Sequence, residues 1–107
     1  MGRPRVESIY DEKLGNVARV LLTLLAYEKR GRRLSISELQ AASRVAKSVF
    51  HGHLYAHLRE AGLIEEEKDV GRTYVKLTPK GREFAECLAK VADVLGLRGL
   101  IGVQAEP

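Results

Sequence analysis

The sequence predicts a mainly α-helical domain carrying one small β-hairpin, and three observations support this. Apolar residues recur at helical spacing in three separate stretches, and a fourth, shorter helix is marked by its N-terminal signature. Thr73, Val75 and Leu77 alternate with Tyr74 and Lys76 behind the turn-forming run Lys68, Asp69, Val70, Gly71, the pattern of a hairpin's second strand. At 107 residues the chain is one domain long, and 45% hydrophobic against 30% charged residues supplies a core without the composition of a disordered chain.

Each element follows from local signals. Helix 1 is expected over 16–29, where Val17, Val20, Leu21, Leu24 and Leu25 form the apolar set and Asn16 is placed to cap the free N–H groups. The basic cluster Lys29, Arg30, Arg32, Arg33 around Gly31 ends it, and 33–35 reads as a very short strand. Ser37 and Gln40 form a capping box for a short helix 2 over 37–42. After a tight connection at 43–46, Phe50, Leu54, Leu58 and Ala61 mark the core face of helix 3 over 47–61, closed by Gly62. The hairpin takes 63–67 and 73–77 as its strands. Thr78 before Pro79 is a strong start for helix 4, whose expected stripe to residue 95 is Phe84, Leu88, Val91 and Leu95. The glycine-rich apolar tail from Gly96 carries no assignable pattern, and 1–13 reads as a polar arm.

Composition narrows the function. Lysine and arginine number 18 against 14 acids, a net charge of +4 that favours an acidic partner such as nucleic acid. The single cysteine, Cys87, excludes an internal disulfide framework and a multi-cysteine zinc site. The longest apolar run, around 20–27, is too short to span a bilayer and no signal peptide is evident, so a cytoplasmic protein is expected. Only Asn16, Gln40 and Gln104 carry side-chain amides beside dense charge, a composition that leans towards a thermophile.

Helix, short strand, helix, tight turn, helix, hairpin, helix is the connectivity of a winged helix-turn-helix domain, in which the third helix can enter the major groove and the hairpin is the wing. The residues also resemble a family. Leu14, Gly15, Asn16 and Arg19 are similar to the opening of helix 1 in many prokaryotic winged-helix regulators, and Ser35 to Leu39 ("SISEL") to their helix 2 start. "HLREAGLIE" from His57 to Glu65 resembles the end of their recognition helix, and "YVKLTPKGREF" from Tyr74 to Phe84 their second wing strand and dimerising helix. Together these resemble the MarR, ArsR and PadR-like transcriptional regulators, particularly short archaeal members. Two positions depart from that pattern: Ala46 stands where a serine or threonine cap is usual, and Gly52 where a basic residue is often found. The resemblance implies an arm at 1–13, a winged-helix DNA-binding domain at 14–78, and a dimerisation helix and tail at 79–107.

The candidate DNA-binding residues are Arg44, Lys47, Ser48, Val49, Gly52, His53, Tyr55, Lys68 and Arg72. Arg44 and Lys47 suit phosphate; Ser48, His53 and Tyr55 suit base edges or sugar, and Val49 a thymine methyl. Gly52 inside a helix costs about 1 kcal/mol relative to alanine, which suggests close backbone approach to a partner. Lys68 and Arg72 flank the wing turn, where an arginine can enter the minor groove, but Glu65, Glu66, Glu67 and Asp69 share the hairpin and oppose them. Gly2, Arg3, Pro4 and Arg5 are similar to the core of an AT-hook, but four residues make a poor motif and a disordered terminus with incidental arginines is the favoured reading.

Catalysis and metal binding find little support. His53 and His57 lie four apart on one helix, but His51 points about 160° away on a wheel of about 100° per residue, and two ligands are too few. His57 is expected at the core edge, and Cys87 as a small buried hydrophobe. No nucleophile and base, phosphate-cradling loop or paired carboxylates can be argued from spacing, so neither an enzyme nor a cofactor is expected. Phe84, Leu88, Val91 and Leu95, widened by Ala85, Cys87, Ala92 and Val94, exceed what a small core can cover, and predict a homodimer through helix 4. The expected function is sequence-specific binding of double-stranded DNA by a dimeric regulator, a repressor by expectation. A winged helix that docks on protein and a non-specific architectural DNA binder remain the alternatives; the residues identify no effector.

Overall fold

The computed structural model describes residues 15–95; the arm at 1–13, with its AT-hook-like residues, and the tail from Gly96 lie outside the described residues, as does the side chain of Leu95. The first helix, α1 (Asn16–Lys29), buries Ala18 and every residue from Val20 to Leu25, so it is covered on nearly all sides rather than along one stripe. It packs against both α2 (Ile36–Ser43) and α4 (Pro79–Leu95). Asn16 is not the cap: Gly15 before it is already in the right-handed helical conformation, which places Asn16 inside the helix, and among the described residues no side chain caps this end. The other end closes by a two-bond motif around Gly31 at φ +74°, with Gly31 N–H bonding Glu28 C=O and Arg32 N–H bonding Tyr27 C=O, both at 2.9 Å.

Three antiparallel strands, β1 (Leu34–Ser35), β2 (Ile64–Asp69) and β3 (Arg72–Leu77), form a sheet in the order β1-β3-β2. The hairpin register runs from Ile64 opposite Leu77 to Asp69 opposite Arg72, leaving Val70 and Gly71 as a two-residue turn. Alternation puts Ile64 and Glu66 with Leu77 and Val75 on the inner face, and Glu65, Glu67 and Asp69 with Lys76, Tyr74 and Arg72 on the outer one. Glu28 at the end of α1 ties the pieces together, accepting from Leu77 N–H at 2.9 Å and from Arg82 on α4 at 2.5 Å.

Helix α2 starts one residue earlier than expected because its capping box is built on a different pair. Ser35, extended at the end of β1, accepts the Glu38 N–H at 3.2 Å, and the Glu38 carboxylate accepts the Ser35 N–H at 2.9 Å. Gln40, expected in that role, instead donates to Val45 C=O at 2.6 Å and braces the turn that follows.

The third helix, α3, is continuous but not uniform: Lys47–Val49 is α-helical, Phe50–Leu54 makes one π-helical turn, and Tyr55–Glu60 returns to α. Phe50, Leu54 and Leu58 bury the predicted core face, with Phe50 fully enclosed. Ala61, expected on that face, is exposed because the helix has ended; Gly62 at φ +78° turns the chain, and Leu63 N–H bonds Leu58 C=O at 3.0 Å.

Thr78 caps α4 as expected, accepting the Gly81 N–H at 2.9 Å. The inner face of this helix is the series Gly81, Ala85, Leu88 and Ala92, not the bulkier stripe that spacing suggested. Small residues let α4 lie close to its neighbours, and a Cβ at Gly81 would overlap the Leu63 carbonyl. Among the described side chains of the expected stripe, Leu88 alone points inward; Phe84 and Val91 are 41% and 48% exposed. Cys87, expected to be buried, is also exposed. Among the described residues no helix is long and apolar enough to cross a membrane.

Candidate nucleic-acid interface

The candidate surface begins at the turn between α2 and α3. Arg44 holds φ +65°, an unusual left-handed conformation for an arginine, and its carbonyl accepts from Arg19 on α1 at 3.4 Å. Val45 beside it is 2% exposed and pins the turn to the core, so the guanidinium of Arg44 and the following Lys47 and Ser48 all stand outside.

The middle of α3 is a π-helical turn. In a regular helix of about 100° per residue, His51 and His53 lie on opposite flanks. Here the Tyr55 N–H reaches back five residues to Phe50 C=O, and His51, Gly52 and His53 along this widened turn are all exposed. His57 joins them instead of packing at the core edge, its ring 6.4 Å from that of His53 and nearly perpendicular to it. A Cβ on Gly52 would meet nothing within 4 Å, so no contact inside the protein requires glycine there. No acidic residue occurs between Glu38 and Glu60, which leaves this surface with Arg44, Lys47 and Arg59 as its only formal charges. Among the described residues no group of three or more His, Cys, Asp or Glu side chains is arranged to hold a metal.

Val49 and Tyr55 are only half-exposed. Tyr55 departs most from its expected place at a base edge: its hydroxyl donates to Glu66 on β2 at 2.7 Å, and Arg59 reaches the same carboxylate at 3.4 Å. Burial, followed by the hydrogen bond to Glu66, pushes the phenol well above its ordinary range.

These contacts change the charge of the wing. Glu66 is taken up by α3, Glu65 pairs with Lys76 at 3.8 Å, and Asp69 pairs with Arg33 at 3.0 Å. Three of the four acids expected to repel a polyanion are thus matched inside the protein, while Lys68 and Arg72 form no ion pair among the described residues. Arg33 is the residue that sequence reasoning missed. It lies 36 positions from Asp69, its guanidinium sits 4.1 Å from the Tyr74 ring centroid, and its bond to Asp69 holds the charged form above the usual arginine range. Arg72 approaches the same ring at 5.6 Å. Nothing short of the β1–β3 pairing, which brings Ser35 opposite Tyr74, marks that cluster.

Comparison with known proteins places this architecture. The sequence pattern of the ArnR1-like winged-helix domain matches residues 7–95. No curated relative is detected by sequence. Among solved structures, AF1382 from Archaeoglobus fulgidus superposes with a TM-score of 0.66 at 19% identity, covering 78% of this chain and 89% of its own. The MarR family transcriptional regulator SPO1453 from Silicibacter pomeroyi gives 0.60 at 23% identity, with 91% and 73% covered. MepR from S. aureus, in its complex with DNA, gives 0.60 at 17% identity, with 87% and 66% covered.

Proposed function

Since the chain belongs to the family of ArnR1-like winged-helix domains, we propose that it binds double-stranded DNA sequence-specifically as a dimeric transcriptional regulator, acting as a repressor. The observation that carries this reading is the acid-free run from α2 through α3, along which Arg44, Lys47, Ser48, His51, Gly52 and His53 are all exposed. Arg44 and Lys47 hold phosphates and set the register, while Ser48 and His53 reach base edges from the first two turns of α3. Val49 meets a thymine methyl at the margin, and Gly52 lets the helix backbone approach the duplex. Tyr55 works at one remove, holding the wing so that Lys68 and Arg72 flank the minor groove. The chain's likeness in fold to MepR, which has been crystallised with DNA, supports the docking mode.

Dimerisation follows from the outer face of α4. Phe84, Cys87, Val91 and Val94 recur at intervals of three, four and three, the seam of a two-helix coil, and all four are exposed. A twofold pair of these helices presents two α3 surfaces to half-sites about one duplex turn apart. Leu88, expected in that seam, belongs to the core of its own chain, and Leu95 falls at the end of the helix.

Fluorescence anisotropy against the DNA upstream of its own coding sequence and a scrambled duplex, across a salt series, tests the proposal. About six phosphate contacts correspond to a log-log salt slope near −5, with tighter binding to the specific duplex. Equal, salt-sensitive binding to both would make it an architectural protein, and no binding to either at low salt would overturn the DNA-binding reading.

A further inference from the structure

The chain has three histidines, and all of them, His51, His53 and His57, stand exposed on α3. Histidine is the side chain that ordinarily changes charge between pH 5 and 8, so the protein's variable charge in that range is concentrated on one helix. Among the described residues no hydrogen bond or ion pair joins any of the three imidazoles to a carboxylate. His51 meets Phe50 edge-on at 5.0 Å between ring centroids, and His53 meets His57 at 6.4 Å. The charges around them are Arg44 in the preceding turn, Lys47, Arg59 and Glu60 on α3 itself, and Glu66 from β2, the strand packed on the last turns of the helix. Glu66 is already held by Tyr55 and Arg59, which leaves Glu60, a turn beyond His57, as the one carboxylate on this helix.

We propose that these histidines make DNA binding proton-linked, so that pH sets the affinity of the α3 surface across the range in which imidazole titrates; the inference rests on the DNA-binding reading above. Apart from Glu60, the free protein surrounds the rings with cations and with one another, and charging both His53 and His57 brings like charges together. A duplex reverses that balance. Its backbone carries one negative charge per about 1.7 Å of axis and favours every cation that converges on it. An imidazolium also donates from both ring nitrogens, to a phosphate or to a guanine edge, where the neutral ring donates from one alone. The duplex therefore binds the protonated protein better, and by linkage its binding draws protons onto α3. The sign follows: binding is strongest below the histidine range and weakens as pH rises through it. Lysine or arginine at these positions would hold the same phosphates at every physiological pH, whereas histidine makes the hold conditional.

The test measures the affinity of the full-length wild type for one duplex that it binds, from pH 8 to pH 5.5 at fixed ionic strength. Affinity should rise about tenfold or more over that span, the equivalent of a one-unit change in the proton affinity of a single histidine. The log-log salt slope should steepen by about 1–2 as one or two imidazoliums join the phosphate contacts. The triple variant His51→Gln, His53→Gln, His57→Gln keeps neutral polar side chains at exposed positions, so circular dichroism should show it folded. It should bind more weakly than the wild type at pH 5.5, and its affinity should vary less than about threefold across the range. Calorimetry of the wild type at pH 6.5 in two buffers of different ionisation enthalpy needs no variant: binding should take up protons, and this readout decides if the triple variant binds no DNA. A pH-independent wild-type affinity, no proton uptake, or an equal pH response in the triple variant would overturn the inference alone. Absence of wild-type binding to any duplex at low salt, at every pH, would instead bring down the DNA-binding reading, and this inference with it.

Discussion

The hydroxyl of Tyr55 donates a 2.7 Å hydrogen bond to the carboxylate of Glu66, joining the middle of α3 to the first strand of the wing. Arg59 also reaches that carboxylate, so Tyr55→Phe leaves Glu66 paired while removing one strut. The variant should lose about 1 kcal/mol, seen as a lower urea midpoint at constant m-value. Burial and Glu66 raise the native phenol above its ordinary value of 10.0. The stability this neutral phenol contributes is full below that value and is lost as pH rises beyond it, when the unfolded chain ionises and the native one resists. In Tyr55→Phe this part of the alkaline loss should disappear.

A second pH dependence lies at the start of α2. The backbone N–H of Ser35 bonds the Glu38 carboxylate and lowers its pKa below the usual 4.5. Because the native value is depressed, the ionised cap stabilises fully above the ordinary glutamate range, and its contribution is lost as pH falls through the lowered value. Glu38→Gln should therefore flatten the acid limb of a stability profile between about pH 5 and 3, the window around the ordinary carboxylate range. An unchanged acid limb would show that the box contributes nothing.

Helix propensity predicts that Gly81→Ala should gain about 1 kcal/mol, and the packing predicts the reverse. The added Cβ would overlap the Leu63 carbonyl, a backbone atom held in the turn after α3, so α4 must shift bodily. A net loss of about 2–3 kcal/mol is expected, the scale of overpacking a core. Thermal or urea denaturation decides the sign.

Gly52 is the opposite case. With open space around its missing Cβ, Gly52→Ala should raise stability by about the full 1 kcal/mol of helix propensity. If α3 lies close against DNA at this point, the same substitution should weaken binding severalfold. A variant that is more stable and binds as well as the wild type would leave Gly52 with no role at the interface.

The sequence was most legible where signals are local. The Thr78–Pro79 start of α4, the Gly62 stop and the Phe50, Leu54 and Leu58 core face each depend on residues a few positions apart and stand as read, while the hairpin stands with a tighter turn: Lys68 and Asp69, expected in it, pair with Thr73 and Arg72. What sequence could not supply was set by tertiary contact. Arg33 finds Asp69 only because β1 pairs with β3, and that pair removes a repulsive charge from the wing. The inner face of α4 was misjudged because size and burial were equated: Gly81, Ala85 and Ala92 face inward where helices pack closely, and Phe84 and Val91 are turned out. The π-helical turn at Phe50–Leu54 carries no sequence signature.

That reversal on α4 sharpens the test of dimerisation. Val91 is 48% exposed within one chain, flanked along the same face by Phe84 at 41% and Val94 at 84%. If a second copy covers this face, Val91→Glu places two carboxylates, one from each chain, in a desolvated seam, a change that dissociates the pair rather than unfolding either chain. Sedimentation velocity at micromolar concentration should show monomers with unchanged helical circular dichroism. DNA affinity should fall steeply too, since one recognition surface no longer positions the other. Leu88→Glu supplies the contrast: that side chain is 8% exposed and belongs to its own chain's core, so the charge should unfold the domain instead. A Val91→Glu protein that sediments like the wild type would place any dimer contact elsewhere, and two half-sites would then need another explanation.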